Sequence, residues 1–412
     1  MNNLPPTTSE RRKTAALPEL LVLSPTYAPF KDGLAQAATL MATGLAARGY
    51  RVTVATGFHP DRSPSQPADN PQVRQFNVQG TSNLRVKIRG DAEAYRMFIR
   101  EFRGDCVICH SWETWSTDLA MKEFARLPAA KVLVSHGFCT HRIYWHDRPP
   151  WGLGQWLGWL PYSSRLPFFL RKFDRIVFLS RQIDLNRFFD HWVARVTGYR
   201  RALVIPNAVD LTAWRAVADG FRQRHGLSND LMLLCVANYE TRKNQELALR
   251  AFREADLNGT LVFIGSRFND YSARLQQLDQ QLAARHPRGQ VLFLEKQDRP
   301  TTLAAFKECD LFVLPAKEET QPIVLLEAMA CGKPFLSTNT GCVEELPGGW
   351  VANSTVEFAD KLQRLAADSA ARAQLGADGR AEIERRYTLD RVLDAYEELL
   401  RSLPLSRQNS PR

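Results

Sequence analysis

Short apolar runs that stop at polar residues, separated by stretches with helical spacing, constrain this chain more than any other feature. They occur at residues 19–24, 51–55, 106–109, 131–135 and 175–179, and again at 231–237, 260–264, 291–294 and 310–314. Runs of this length read as strands, and their alternation with helical stretches indicates parallel β-α-β units. After the first run, Leu34, Ala37, Ala38, Met41 and Leu45 keep helical spacing, and Gly49 closes that helix before the next run. Ligands of such sheets bind beyond the carboxyl ends of the strands, so the polar residues just past each run are the candidates for chemistry. His110 and His136 both stand at such positions.

A chain of 412 residues is long for one core, which predicts two domains of roughly 200 residues each. With 44% hydrophobic and 24% charged residues the composition is that of a soluble globular protein. No run has the length and apolarity of a membrane span, and residues 1–17 lack the apolar stretch of a signal peptide, so a cytoplasmic location is expected. The seven cysteines are scattered and odd in number, which argues against a disulfide framework. Cys106 and Cys109 form a C-x-x-C with no second pair, so they read as buried strand cysteines rather than zinc ligands, and no metal is expected. The net charge of +10 favours an anionic partner such as a sugar nucleotide, nucleic acid or anionic lipid. No zinc-finger, RNP-like or basic-helix motif is present, which sets nucleic acid aside.

The most informative stretch follows the run at 310–314. A polar loop begins at Pro315, Pro322 sits where a first helical turn tolerates it, and Gly332 and Pro334 terminate a helix over residues 322–331. Glu319 precedes that helix and Glu327 lies within it, with seven residues between them. The first backbone N–H groups after Pro322, at Ile323 and Val324, form an anion site. Carboxylates beside a phosphate would be repulsive, so they read as acceptors for ligand hydroxyls. Phosphates and hydroxyls together point to a sugar nucleotide.

The pair Glu319 and Glu327, the run Glu327-Ala328-Met329-Ala330, and Gly332 with Pro334 resemble the retaining glycosyltransferases of family 4. The resemblance implies an α/β GT-B fold, two Rossmann-like doubly wound domains facing across a cleft. Residues 17–206 would form an acceptor-side domain and 207–388 a nucleotide-sugar donor domain, with a helix at 389–403 crossing back. Residues 203–210, LVIPNAVD, resemble the interdomain segment, with Asn207 fixing the turn through its side chain. Gly33 beside Asp32 resembles a loop that approaches the donor phosphates, although the family has two adjacent glycines there. His136-Gly137 resembles the histidine that contacts the donor sugar, leaving His110 to line the cleft or satisfy the core. Asn238 stands where the family places an arginine and Lys243 where it places a lysine, both gripping the diphosphate. Arg242 is the candidate for the missing charge, and residues 295–298 are where the base would sit.

The implied catalytic residues are therefore Glu319, His136 and Lys243. The implied donor-binding residues are Gly33, Asn238, Arg242, Lys243, Glu319, Ile323, Val324 and Glu327, with Glu327 on the ribose. The implied reaction moves a hexosyl unit from a nucleoside-diphosphate sugar to a lipid-linked or saccharide acceptor hydroxyl with the anomeric configuration kept, in cell-surface polysaccharide or glycolipid synthesis. No cofactor beyond the donor is expected. The alternatives are a GT-B nucleotide-sugar epimerase, or a catalytically silent binding subunit to which the altered arginine and glycine positions point.

Between residues 145 and 175 lie Trp145, Trp151, Trp156, Trp159, Tyr162, Phe168 and Phe169, broken by prolines and overlapping Arg165, Arg171, Lys172 and Arg175. Aromatic and basic residues together suit the interface of an anionic membrane, which would place the chain peripherally at the inner face. The competing reading packs these aromatics inside the first domain or in a dry acceptor groove.

Overall fold

The computed structural model describes residues 17–138, 151–215, 218–228 and 230–404. The strands, in chain order, are β1 (Glu19–Leu23), β2 (Arg51–Gly57), β3 (Gln72–Phe76), β4 (Val78–Gln79), β5 (Arg89–Gly90), β6 (Cys106–His110), β7 (Ala130–Ser135), β8 (Arg175–Phe178) and β9 (Ala202–Val204), followed by β10 (Leu231–Val236), β11 (Gly259–Gly265), β12 (Gln290–Glu295), β13 (Leu311–Leu314), β14 (Phe335–Ser337) and β15 (Gly349–Val351). One sheet has the order β3-β2-β1-β6-β7-β8-β9, and its pairings from β3 to β7 are parallel. The other has the order β12-β11-β10-β13-β14-β15 and is parallel throughout. Two doubly wound parallel sheets, each alternating with helices, make this the expected α/β architecture.

By contact the chain divides into two units. One holds Met1–Ser135, Phe168–Val177 and Tyr396–Arg412, and the other His136–Pro167 and Phe178–Ala395. In the first, Leu20 to Leu23 and Cys106 to Cys109 are fully buried. The helix Gly33–Ala47 starts where the Asp32 side chain accepts the Ala35 N–H at 2.8 Å and stops at Gly49, whose φ of +94° is left-handed. In the second unit, Met232, Leu234, Phe312 and Leu314 enter one core layer, while Leu233, Cys235, Leu311 and Val313 enter the other. Side chains alternate between faces and both faces are covered, so every position must be apolar and the runs are continuous.

Six strands leave no such run, and two of them, β4 and β5, have only two residues each. β3 is half-buried and carries Gln72, Arg74 and Gln75, while β9, β14 and β15 have three residues each. The aromatic stretch is sorted by a helix, Trp151–Ser164, that buries Gly154, Gly158, Trp159 and Tyr162. Trp159 and Tyr162 meet edge to face at 5.5 Å. The tryptophan thus turns inward, and Leu153, Leu157 and Leu160 are the large apolar residues left exposed on that helix. Phe168 is also exposed, whereas Trp145, Pro149 and Pro150 lie outside the described residues.

Glu123 is a fully buried carboxylate in the first unit, bonded by Arg100 Nε at 2.9 Å and Arg96 Nε at 2.7 Å. The Arg100 hydrogen bond holds its carboxyl below the usual range against desolvation, and Arg96 adds to that effect. A depressed carboxyl pKa stabilises the fold above the unfolded-state pKa, and that stability is lost as pH falls through the folded value. Glu123→Gln is therefore expected to cost on the order of 1–2 kcal/mol at neutral pH and progressively less in acid. Arg126→Ala, which removes an exposed partner 3.5 Å away, should cost little. Chemical denaturation across the acid range checks both; a Glu123→Gln penalty that does not shrink in acid would show that the charge contributes nothing.

Candidate active site

Parallel pairing of β10 with β13, in the register Leu233 to Leu311 and Leu234 to Phe312, sets the loops beyond their carboxyl ends side by side. This is also where the strand order reverses, since the chain steps from β10 out to β11 and β12 and returns to β13 on the other side. The loop after β10 is anchored by buried Tyr239, whose hydroxyl donates to the Leu294 carbonyl at 2.9 Å. Gln245 Nε2 donates to the Asn238 carbonyl at 2.9 Å, and Asn269 Nδ2 to the Tyr239 carbonyl at 2.8 Å. The two loops are joined by the Lys317 N–H on the Arg242 carbonyl at 2.8 Å and by Asn244 Nδ2 on the Pro315 carbonyl at 3.1 Å.

At this junction the Lys243 ammonium pairs with the Glu319 carboxylate. Their side chains are only 16% and 12% exposed, so water competes weakly and removing either would strand the other's charge. The Glu319 N–H donates to Thr340 Oγ1 at 2.9 Å. Gly341, with φ of +50°, backs the same loop so closely that a β-carbon there would lie 2.3 Å from the Thr320 oxygen and 2.6 Å from that of Glu319.

The helix Ile323–Ala330 follows, with Pro322 just before it and no side chain capping its start. The Leu325 N–H turns back to the Pro322 carbonyl at 3.1 Å, while Ile323 and Val324 occupy the first two helical positions. Gly332 ends it with φ of +65°. Glu327 is 1% exposed and is paired with Arg299, whose guanidinium lies 5.8 Å from the centre of the Trp214 ring. A buried carboxylate requires such a cation.

The remaining predicted residues fall in four places. Arg242 pairs with Glu240 at 2.6 Å on an open surface, so its charge is directed at that carboxylate and not at Glu319. Asn238 lines a cleft of about 720 Å³ with Tyr239, Ser266, Phe268, Asn269 and Tyr271. His136 follows β7 in the same unit as Lys243 and Glu319, and its carbonyl accepts the Thr320 hydroxyl at 2.7 Å. Burial lowers the His136 imidazole to about 4, so it is neutral at physiological pH. Gly33, the first residue of its helix, and His110, buried at the end of β6, belong to the other unit.

Arg299, Thr320, Gln321, Thr340 and Gly341 complete the site but carry no local sequence signal. Each acts on a residue that only the tertiary structure brings near. Asn207 is of the same kind: its side chain reaches the Gln321 carbonyl at 3.2 Å instead of fixing its own turn. Among the described residues no group of three histidine, cysteine or carboxylate side chains could hold a metal ion.

Two family models match the chain. One described as Glycosyltransferase Family 4 covers residues 31–213, and one described as Glycosyl transferases group 1 covers residues 218–382. N-acetyl-alpha-D-glucosaminyl L-malate synthase of Bacillus anthracis is 28% identical over 187 residues, which is 43% of this chain and 47% of that protein. The chain thus spans about half the length of this relative. GDP-mannose-dependent monoacylated alpha-(1-6)-phosphatidylinositol monomannoside mannosyltransferase of Corynebacterium glutamicum is 29% identical over 280 residues, 61% of this chain and 69% of that one. The solved structure of sucrose-phosphate synthase from Thermosynechococcus elongatus superposes with a TM-score of 0.72 at 17% identity, covering 93% of this chain and 98% of that one, a likeness of fold. With both halves matched and the two doubly wound sheets in place, the chain belongs to the family 4-like glycosyltransferases of GT-B fold.

Proposed function

We propose that the chain moves a hexosyl unit from a nucleoside-diphosphate sugar to an acceptor hydroxyl with the anomeric configuration kept, in the synthesis of a cell-surface polysaccharide or glycolipid. The observation that carries this reading is the Lys243–Glu319 pair, largely withdrawn from water at the switch point of the second sheet. A cation and a carboxylate held together there suit a ligand with phosphates at one end and hydroxyls at the other. The nucleotide-sugar dependence in the Corynebacterium relative's name supports the donor class.

Breaking the sugar–phosphate bond leaves negative charge on the diphosphate and positive character on the sugar. Lys243 and the N–H groups of Ile323 and Val324 would stabilise the diphosphate, with Asn238 as a further donor, as positioned groups of the second unit. Glu319 would exchange Lys243 for sugar hydroxyls, and Glu327, paired with Arg299, would take the ribose. His136, neutral above about pH 4, would offer a hydrogen bond to the sugar without adding charge. No metal or further cofactor enters this reading. In terms of role, residues 17–206 are the acceptor side and 207–388 the donor side, a division that differs from the grouping by contact.

A thermal-shift screen of nucleoside diphosphates and their sugars identifies the donor, since a ligand at a hundred times its dissociation constant adds about 2.7 kcal/mol. With that donor, Lys243→Ala is expected to lower turnover on the order of a hundredfold. A loss below about threefold would remove Lys243 from the site. Donor consumed without an acceptor, yielding a different sugar nucleotide, would favour the epimerase, and binding without turnover the silent subunit. Gly341→Ala should also depress turnover, because its methyl group must displace the backbone that carries Glu319. Full activity in that variant would show that the position of Glu319 does not matter.

No helix among the described residues is long and apolar enough to cross a membrane. The acceptor is proposed to be lipid-linked or otherwise held at an anionic membrane surface. Leu153, Leu157 and Leu160 are exposed along one helix, and residues 151–173 contain no acidic side chain but include Arg165, Arg171 and Lys172. Vesicle sedimentation should require anionic lipid, weaken with salt and fall when the three leucines become serine. Equal sedimentation with neutral vesicles, or none with either, would leave the acceptor soluble.

A further inference from the structure

Three segments of the second unit meet at the tripeptide Glu319-Thr320-Gln321. His136, Leu179 and Asn207 stand one, one and three residues past the carboxyl ends of β7, β8 and β9. The Thr320 hydroxyl donates to the His136 carbonyl at 2.7 Å. Gln321, 6% exposed, accepts the Asn207 N–H on Oε1 at 2.6 Å and donates from Nε2 to the Leu179 carbonyl at 3.0 Å. Its amide is thus used at both ends, as a buried amide must be. The opposite side of the tripeptide is held as firmly, because the Thr320 carbonyl accepts the Cys342 N–H at 3.0 Å and the Glu319 N–H engages Thr340.

The contact at His136 leaves no room to shift. Gly137 has φ of +102°, and a β-carbon on it would lie 2.2 Å from Thr320 Oγ1. The histidine backbone can therefore approach Thr320 only because the next residue is glycine. Lys243 holds Glu319 from one side and Thr320 holds His136 from the other, so two groups 183 residues apart in sequence are locked through adjacent positions of one loop.

We infer that Thr320 is a positioning residue, which through the His136 backbone sets that histidine against the Glu319 loop so that both meet one bound donor. This rests on the transfer reading given above. The hydroxyl itself touches no reacting atom. It contributes register, and register errors on the scale of an ångström cost about a hundredfold in rate.

The test compares wild type, Thr320→Val, which keeps the shape without the hydroxyl, and Thr320→Ser, which restores it. The probe is the nucleoside-diphosphate sugar that raises the melting temperature of the wild type. Two signals are followed, steady-state transfer and the ring resonance of His136 in the histidine-labelled protein. Thr320→Val is expected to keep the donor-induced melting shift and a donor KM within about threefold, yet to lose about tenfold to a hundredfold in kcat. In that variant the His136 resonance should no longer move on donor binding, and Thr320→Ser should recover both signals. A purely structural hydroxyl would lower the melting temperature without splitting kcat from KM. Thr320→Val with wild-type kcat, or with an unchanged His136 response, overturns the inference while leaving the transfer reading intact. If no nucleotide sugar shifts the wild-type melting temperature, the transfer reading itself fails and takes the inference with it. Should Thr320→Val not fold, Gly137→Ala, which pushes on the same contact from the other side, is measured in the same way. A wild-type kcat and His136 response in that variant overturns the inference equally.

Discussion

The adjacency of β10 and β13 is the constraint on which the site depends. Strands paired in parallel all end on the same side of the sheet, so the loops after β10 and β13 emerge together although residues 243 and 319 are far apart in the chain. Had the chain continued outward from β12, β13 would stand three strands from β10 and Glu319 would be out of reach of Lys243. The return to the other side of β10 makes this the switch point of the sheet, the place where ligands of such folds bind.

Within that gap the polypeptide is held by backbone groups more than by side-chain packing. The loop after β10 gives up its carbonyls to Gln245 and Asn269, and the loop after β13 rests on Thr340 and the bare backbone of Gly341. Such a lattice keeps a charged pair in place without filling the space in front of it with apolar atoms. Preorganisation of this kind matters where charge develops, because the enzyme does not have to reorient dipoles during the reaction.

The electrostatics follow one rule. Glu319 and Glu327 are both withdrawn from water, and among the described residues Lys243 pairs with the first and Arg299 with the second. A buried carboxylate offset by a cation can accept hydroxyls beside a phosphate, whereas carboxylates with no such cation would repel it. His136 is the complementary case, a half-buried imidazole whose desolvation keeps it neutral at physiological pH. Arg242 stays outside this arrangement because Glu240 engages it in the open, where such a pair is worth little.

The sequence by itself determined the strands of both cores, the helix after Pro322 with its glycine stop, and the spacing of Glu319 and Glu327. These rest on apolar continuity, proline and left-handed glycine, all of which act within a few residues. Short or polar strands such as β3 and β14 were illegible because what makes them strands is the neighbour they pair with. Position past a strand end marked His110 and His136 alike, and the family resemblance was needed to prefer His136 and to pick out Lys243. Which partners they meet was decided only in three dimensions: strand order sets Lys243 on Glu319 and Arg299 on Glu327, whereas Gln321 on Asn207 and Thr320 on His136 are contacts beyond the order of any one sheet. The direction of Trp159 was likewise settled by the fold, since helical spacing alone does not say which side of a glycine-lined helix will be covered. Local sequence encodes conformation through forces that reach a few residues, whereas a hydrogen bond or ion pair between distant residues exists only once the sheet has placed them together.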